Sequence, residues 1–240
     1  MWDNPRLLNA AAGFLVGMAL LAFAVAAVVL AIRSPLFTLR TVELSAPVRQ
    51  VDQAELEAAI AAHVRGGFFD ARIGELRAAL EALAWVRKVH VRRVWPDRLE
   101  IAIEEHEALA RWGEGEDNRA GELVNTYGER FKGRTNVALP LFVGPQGSEA
   151  EMTRRYARFA AIAAPLGAVP ERLTLSPRYA WQLRLANGMD LVLGRDGEAA
   201  EQRLARFVEI SRGVLDERSA HEYVDLRYPN GFAIRSRGSG

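Results

Sequence analysis

Four histidines, His63, His90, His106 and His221, are the side chains whose ordinary pKa lies nearest neutrality, and they are scattered along the sequence. None belongs to an H-E-x-x-H pair. The sequence has no cysteine to act as nucleophile or thiolate ligand, no G-x-S-x-G elbow and no phosphate-binding glycine loop. The nearest polar constellation is His221, Glu222 and Asp225. It lacks the companion ligands that a metal or a general acid–base pair needs, and it reads as a solvated strand end. The chemistry on offer is therefore that of a binding surface, with no cofactor and no metal expected.

The first element that would position such a surface is the run Ala10 to Ile32, which carries no charged side chain. As a helix it would extend roughly 34 Å at about 1.5 Å per residue, enough for a hydrocarbon core of about 30 Å. Ala24-Val25-Ala26 resembles a signal-peptidase site, but the run is longer than the apolar region of a signal peptide. It also lacks the polar face that a soluble helix keeps, so a retained membrane anchor is the reading. Asp3 and Arg6 precede the run and Arg33 and Arg40 follow it, which leaves the orientation open on charge alone. The expected organisation is a short stub at 1–9, a transmembrane helix at 10–33, a first domain at 36–106, a second at 107–235 and a polar tail at 236–240.

Composition narrows the partners. The formal net charge is +1, and the basic residues have acidic neighbours, which argues against nucleic acid. Among the 31 basic residues only Lys88 and Lys132 are lysine, which with the abundant alanine reads as a GC-rich coding bias rather than a function.

Past Ser34-Pro35, which breaks the helix, the pattern is β-α-α-β-β. Phe37 to Leu44 reads as a strand. Asp52 and Glu55 have capping-box spacing ahead of Leu56, Ile60 and Val64, and Gly66-Gly67 closes that helix. Ile73, Leu76, Leu80 and Leu83 form the apolar stripe of a second helix. Val89 and Val91 alternate with charged residues up to Trp95, Pro96-Asp97 turns the chain, and Leu99, Ile101 and Ile103 return. The outgoing strand holds Arg87, Lys88, His90, Arg92 and Arg93, and the return strand and its end hold Glu100, Glu104, Glu105 and Glu107. Cross-strand pairing of these opposite charges is favoured over ligand binding, with lipid head groups as a minor possible contact.

The second domain is expected to be sheet-rich with two helices. Gly113 to Gly121 is a polar, acidic loop, and Leu123 to Phe131 is a strand pair turning at Gly128. Ser148 and Glu151 have capping-box spacing before the helical stripe Met152, Tyr156, Phe159 and Ile162, which Pro165 stops. Those large residues read as core. Trp181, Leu183 and Leu185 alternate up to Asn187-Gly188, a type I′ turn signal, and Met189, Leu191 and Leu193 return. A helix with Leu204, Phe207, Val208 and Leu215 leads to strands at Glu222 to Leu226 and Phe232 to Arg235.

Two stretches carry a resemblance. Phe37 to His106 resembles a POTRA domain. The run from Trp85 through Trp95-Pro96-Asp97-Arg98-Leu99, then Glu104, Glu105 and Arg111-Trp112, is similar to the FtsQ/DivIB cell-division proteins. The similarity continues through Ser176-Pro177-Arg178-Tyr179-Ala180-Trp181 and through Asp225-Leu226-Arg227-Tyr228-Pro229-Asn230-Gly231-Phe232. The fold implied is α+β: one N-terminal transmembrane helix, a β-α-α-β-β POTRA domain and a mixed, sheet-rich domain with two helices.

An open sheet edge offers unpaired N–H and C=O groups to which a partner segment can add a strand, and the final strand is the candidate. The resemblance implies that this edge binds FtsB, itself complexed with FtsL, in the periplasm. It implies partner contacts at Arg178 and Tyr228, within a surface comprising Arg227, Asn230, Gly231, Phe232, Ala233 and Ile234. Tyr228 also fits a corner tyrosine that holds a turn. Phe232 stands where relatives often carry a smaller residue. The resemblance further implies a non-enzymatic divisome scaffold in the bacterial inner membrane at the septum, with a cytoplasmic N-terminus and a POTRA domain that serves recruitment. Two other classes remain open: a membrane-anchored periplasmic cell-wall hydrolase, and a POTRA-containing outer-membrane assembly or secretion component, which would need several POTRA repeats or a β-barrel.

Overall fold

The computed structural model describes residues 5–32, 41–64, 72–113, 121–211, 222–228 and 231–236. The Ser34-Pro35 break, residues 37–40 of the first expected strand, Gly66-Gly67, the acidic loop at 114–120, Leu215, His221, Pro229-Asn230 and the tail at 237–240 lie outside them. The chain divides into two compact units, Met1–Glu105 and His106–Gly240.

The first unit opens with α1 (Pro5–Ile32), which contains a stretch, Asn9–Leu30, long and apolar enough to cross a membrane. Phe14, Leu15, Leu20, Leu21, Phe23 and Leu30 are all exposed, an apolar surface consistent with a membrane anchor. There follow β1 (Thr41–Leu44), α2 (Gln53–His63), α3 (Ile73–Glu81), β2 (Val86–Val94) and β3 (Arg98–Glu105). Asp52 starts α2 as its sequence spacing predicts, its Oδ1 accepting from the N–H groups of Ala54 at 2.8 Å and Glu55 at 3.3 Å. The sheet order is β1-β3-β2, with β1 parallel and β2 antiparallel to β3. Leu56, Leu76 and Leu80 from the helices and Val86, Val89, Leu99 and Ile101 from the sheet are buried and form the core.

The basic strand pairs with its neighbours much as the alternation implies. Arg87 bonds Glu104 at 2.7 Å and Arg92 bonds Glu100 at 2.8 Å, while on the other side of β3 Arg98 bonds Glu43 of β1 at 3.2 Å. The Arg92 guanidinium, with the Ser45 hydroxyl, holds the Glu100 carboxyl below its ordinary pKa. Glu105 departs from the expectation. Its carboxylate accepts from the backbone N–H groups of Arg49 at 3.0 Å, Gln50 at 2.8 Å and Val51 at 2.9 Å. Three converging amide donors ahead of α2 take the charge that cross-strand pairing would have used.

The second unit contains β4 (Ala108–Gly113), β5 (Glu122–Asn125), β6 (Arg130–Lys132), β7 (Leu141–Val143), α4 (Glu149–Ala163), β8 (Pro170–Leu175), β9 (Ala180–Leu185), β10 (Asp190–Arg195), α5 (Gly197–Ser211), β11 (Glu222–Asp225) and β12 (Ala233–Ser236). They build one nine-stranded sheet in the order β12-β11-β10-β9-β8-β7-β4-β5-β6. It is mixed, since β4·β7, β7·β8 and β10·β11 run parallel. The helices α4 and α5 pack on each other and on β8 and β10. Between them lies a core of Trp112, Phe142, Met152, Phe159, Leu173, Leu183, Leu191, Leu204, Phe207 and Val224. Phe159 meets Trp181 edge-on at 5.8 Å, so the aromatic stripe of α4 is packing, as its spacing suggests.

Three strands, β4, β7 and β8, go beyond the sequence reading, and two local details differ from it. Ser148 makes no side-chain cap to α4; its hydroxyl donates instead to the Pro145 carbonyl at 2.6 Å. At Asn187-Gly188 only the glycine has positive φ, +89°, so the turn is not type I′. Leu185 and Met189 face each other across a three-residue loop in which the Gly188 N–H donates to the Leu185 carbonyl at 2.9 Å. That is a type I turn closed by a left-handed residue.

Candidate functional site: the open end of the nine-stranded sheet

The end of the sheet is built by β11, which bonds β10 on one side and β12 on the other. Among the described strands β12 has a neighbour on one side only. It pairs antiparallel with β11, Ala233 opposite Asp225, Ile234 opposite Val224 and Arg235 opposite Tyr223. Ala233, Ile234 and Arg235 are exposed, so the outer backbone row is accessible. Phe232, just ahead of the strand, turns inward and meets Phe207 of α5 edge-on at 5.1 Å, half-buried against the core. Its role is to fasten the strand rather than to present a ring to solvent.

Asp225 is almost fully buried and carries a charge, which requires compensation. The Arg227 guanidinium supplies it through Nε to Oδ1 at 2.9 Å and Nη2 to Oδ2 at 2.6 Å, and the Arg227 N–H adds a bond to Oδ1 at 3.1 Å. These bonds hold the Asp225 carboxyl below the usual carboxylate range against the opposing effect of burial, and they raise the pKa of Arg227 in turn. The stem of Arg227 crosses β10 at Gly194, whose φ is +85° and where a Cβ would stand 3.1 Å from Arg227 Cγ. Glycine is needed here for both conformation and space.

Beside this clamp is a cavity of about 470 Å3 lined by Ser176, Arg178, Ala180, Gly194, Arg195, Arg203 and Arg227. It thus holds four arginines and no carboxylate among its lining residues. Arg203 is anchored by donation to the carbonyls of Leu193 at 2.8 Å and Arg195 at 3.3 Å. Arg178 is exposed on the loop between β8 and β9. Such a cavity attracts carboxylates.

The loop carrying Arg178 has an unusual residue. Three hairpin loops of this unit share one hydrogen-bond pattern, closing between Asn125 and Glu129, Ser176 and Ala180, and Leu185 and Met189. Each needs a left-handed residue before its last position: Gly128 at φ +80°, Gly188 at +89° and, in the middle loop, Tyr179 at +58°. A side chain in that region costs about 1–2 kcal/mol relative to glycine. Among the described residues two other non-glycines have positive φ, and each has a local return. Trp85 is buried, and Asp196 caps α5 through its side chain, accepting from the N–H groups of Glu198 and Ala199. Tyr179 is 66% exposed.

Of the residues expected at this surface, Arg178 and Arg227 meet in one cavity, while Tyr228, Gly231, Ala233 and Ile234 are exposed along the edge. Tyr228 is 55% exposed, which does not fit a packed corner tyrosine. Asn230 and His221 lie outside the described residues. Sequence reasoning missed Arg195, Arg203 and the φ of Tyr179. The arginines are invisible to periodicity because the bulge at Gly194 and the entry into α5 bring them together, and a backbone angle leaves no compositional mark. Among the described residues, no group of three or more His, Cys, Asp or Glu could hold a metal ion.

Comparison with known proteins adds independent observations. Residues 110–227 match the family model described as cell division protein FtsQ/DivIB, C-terminal, and residues 37–106 match the FtsQ-type POTRA domain. The chain is 39% identical to the cell division protein FtsQ of Burkholderia pseudomallei, over 99% of this chain and 95% of that protein. It is 36% identical to FtsQ of Bordetella pertussis, over 98% and 92% of the two chains. Identity to FtsQ of Neisseria gonorrhoeae is 30%, over 100% and 97%.

Proposed function

We propose, from the premise that this chain belongs to the FtsQ/DivIB family of cell division proteins, that it captures the periplasmic parts of FtsB and FtsL at the open end of its nine-stranded sheet. Members of this family are non-enzymatic divisome proteins, so the cell-wall hydrolase alternative falls, as does the outer-membrane assembly component. The observation that carries the reading is the juxtaposition of an unpaired edge, β12, with the cavity that collects Arg178 and Arg227. A partner strand adding to β12 would satisfy its outer N–H and C=O groups, and an acidic side chain beside that strand would meet the arginines. The contacting residues would be Arg178, Arg227, Tyr228, Asn230, Gly231, Ala233 and Ile234, with Phe232 holding the strand from behind.

In this reading α1 is the membrane anchor of an inner-membrane protein at the septum, with residues 1–9 in the cytoplasm and the domains at 36–106 and 107–235 in the periplasm. The POTRA domain at 36–106 recruits other division proteins, and the second domain at 107–235 carries the FtsB/FtsL surface. Anchoring confines the search for partners to proteins tethered to the same membrane.

The test is co-purification of the full-length protein with full-length FtsB and FtsL. Arg178→Ala and Tyr228→Ala should each weaken capture at least about tenfold, as hot-spot truncations do. Proline is tested at both Ala233 and Ile234, because in an antiparallel pair one of two successive N–H groups faces β11 and the other faces outward. The outward one should abolish capture while leaving the fold intact. Wild-type capture by all four folded variants would sink the reading.

A further inference from the structure

We infer that Tyr179 is a presented contact residue that receives a basic side chain of the same partner segment, on the far side of its loop from the arginine cavity; this rests on the partner-capture reading above. Tyr179 occupies the loop position where both sister hairpins place glycine, and its left-handed backbone is a cost. Among the described residues nothing offsets it: the side chain is 66% exposed and its hydroxyl makes no hydrogen bond. Strain held by a fold without an internal return marks a residue kept for something outside it.

What lies next to the ring indicates that partner's chemistry. A second cavity, of about 400 Å3, is lined by Pro145, Ser148, Glu151, Leu175, Tyr179, Trp181 and Asp196, among others. Its walls combine aromatic and aliphatic groups with the polar Gln146 and Ser148, its charged groups are the carboxylates of Glu151 and Asp196, and no arginine or lysine lines it. Asp196 is held in place as the cap of α5, and Glu151 by Arg155 at 2.8 Å and Arg154 at 2.5 Å, which leaves Asp196 as the carboxylate of this cavity without an arginine partner among the described residues. An apolar stem ending in a positive charge fits such walls, the charge lying over the tyrosine face within reach of carboxylates. The Ser176–Ala180 loop therefore separates two cavities of different chemistry, one lined by arginines including Arg178 and the other by Tyr179 with Glu151 and Asp196. A segment that lays an acidic residue in the first and an arginine or lysine in the second is held in one register. Reversed or shifted segments would bring like charges together.

The experiment uses the full-length protein in detergent with the full-length FtsB–FtsL complex as probe. Tyr179→Gly should raise Tm by about 2–5 °C through relief of the left-handed strain. The same substitution should weaken FtsB–FtsL binding about tenfold. Tyr179→Asn, which tolerates the backbone, should weaken binding equally, and Tyr179→Phe should bind within about twofold of wild type. Alanine substitutions of the arginines and lysines of FtsB should find one whose loss is not additive with Tyr179→Gly, by a factor of at least about five. A Tyr179→Gly protein that binds as tightly as wild type while Arg178→Ala does not would overturn this inference and leave the capture reading standing. Failure of wild type to bind at all would remove the capture reading itself. A fall in Tm for Tyr179→Gly would show a packing role and would equally overturn the inference, as would full additivity for every basic residue tested.

Discussion

Asp225 and Arg227 form a two-pronged ion pair at the foot of the open strand, with the carboxylate almost fully buried and directly opposite Ala233 of β12. Because the bonds from Arg227 lower the pKa of Asp225 in the folded state, its stabilising contribution exists above the unfolded value, about 4, and is lost as pH falls through the lower folded value. Asp225→Asn should therefore lower Tm by about 2–5 °C at pH 7, with a constant deficit down to about pH 5. The deficit should begin to shrink below about pH 4, the unfolded value, and keep shrinking as pH falls toward the lower folded value. A difference that stays flat through that range in calorimetric scans would refute the assignment.

Glu105 receives the N–H groups of Arg49, Gln50 and Val51, which would otherwise lack partners ahead of α2. Glu105→Ala should destabilise the first unit by about 2 kcal/mol, the scale of bonds to a charged acceptor. Amide exchange at residues 49–56 should accelerate, while exchange in β9 and β10 stays at the wild-type rate. Glu105→Gln should fall between the two, since it keeps an acceptor without the charge.

Gly128 has φ +80°, and a Cβ there would lie 2.5 Å from the Ala150 Cα at the start of α4. The contact is with backbone, so no side chain can swing away. Gly128→Ala should cost at least about 2 kcal/mol, combining left-handed strain with a displaced helix start. Chemical denaturation of the full-length protein would measure it, and a neutral outcome would mean that the loop can relocate without loss.

Phe232→Ala removes a half-buried ring from Phe207 and should cost about 1–2 kcal/mol. Ile234→Ala, on an exposed position, should stay within about 0.5 kcal/mol. Both should reduce FtsB–FtsL capture, but through different routes: Phe232→Ala by raising the exchange rate of the β12 amides, Ile234→Ala with those rates unchanged. Equal exchange in the two variants would mean that Phe232 does not fasten the strand.

Much of the fold could be read from residue patterns because the relevant faces are one-sided. Asp52 ahead of Leu56, and the alternation of Trp181, Leu183 and Leu185, each reflect an element with one wet and one dry side. The interior strand β7 has no such contrast. It is three residues long and parallel to both neighbours, with Leu141 and Phe142 both buried, so alternation vanishes. At Asn187-Gly188 the dipeptide signalled a hairpin correctly, yet the turn type depended on whether Ala186 counts as strand or loop, which pairing decides. Arg178 and Arg227 could be singled out from the sequence through resemblance, whereas Arg195 and Arg203 enter the same cavity only because Gly194 shifts the register of β10.

The open strand also has a mechanical aspect. Among the described strands β12 pairs with β11 alone, from Ala233 to Ser236, and β11 pairs with β10 over the still shorter span from Asp190 to Val192. Tension along such a strand loads all of its pairs together, while tension across it opens them one after another. A partner that joins the edge as a further strand and pulls lengthwise meets the stiff direction. One that is levered sideways peels the edge away before any force reaches Phe142 or Leu173 in the interior. A sheet end paired in this way would resist axial pull better than torque.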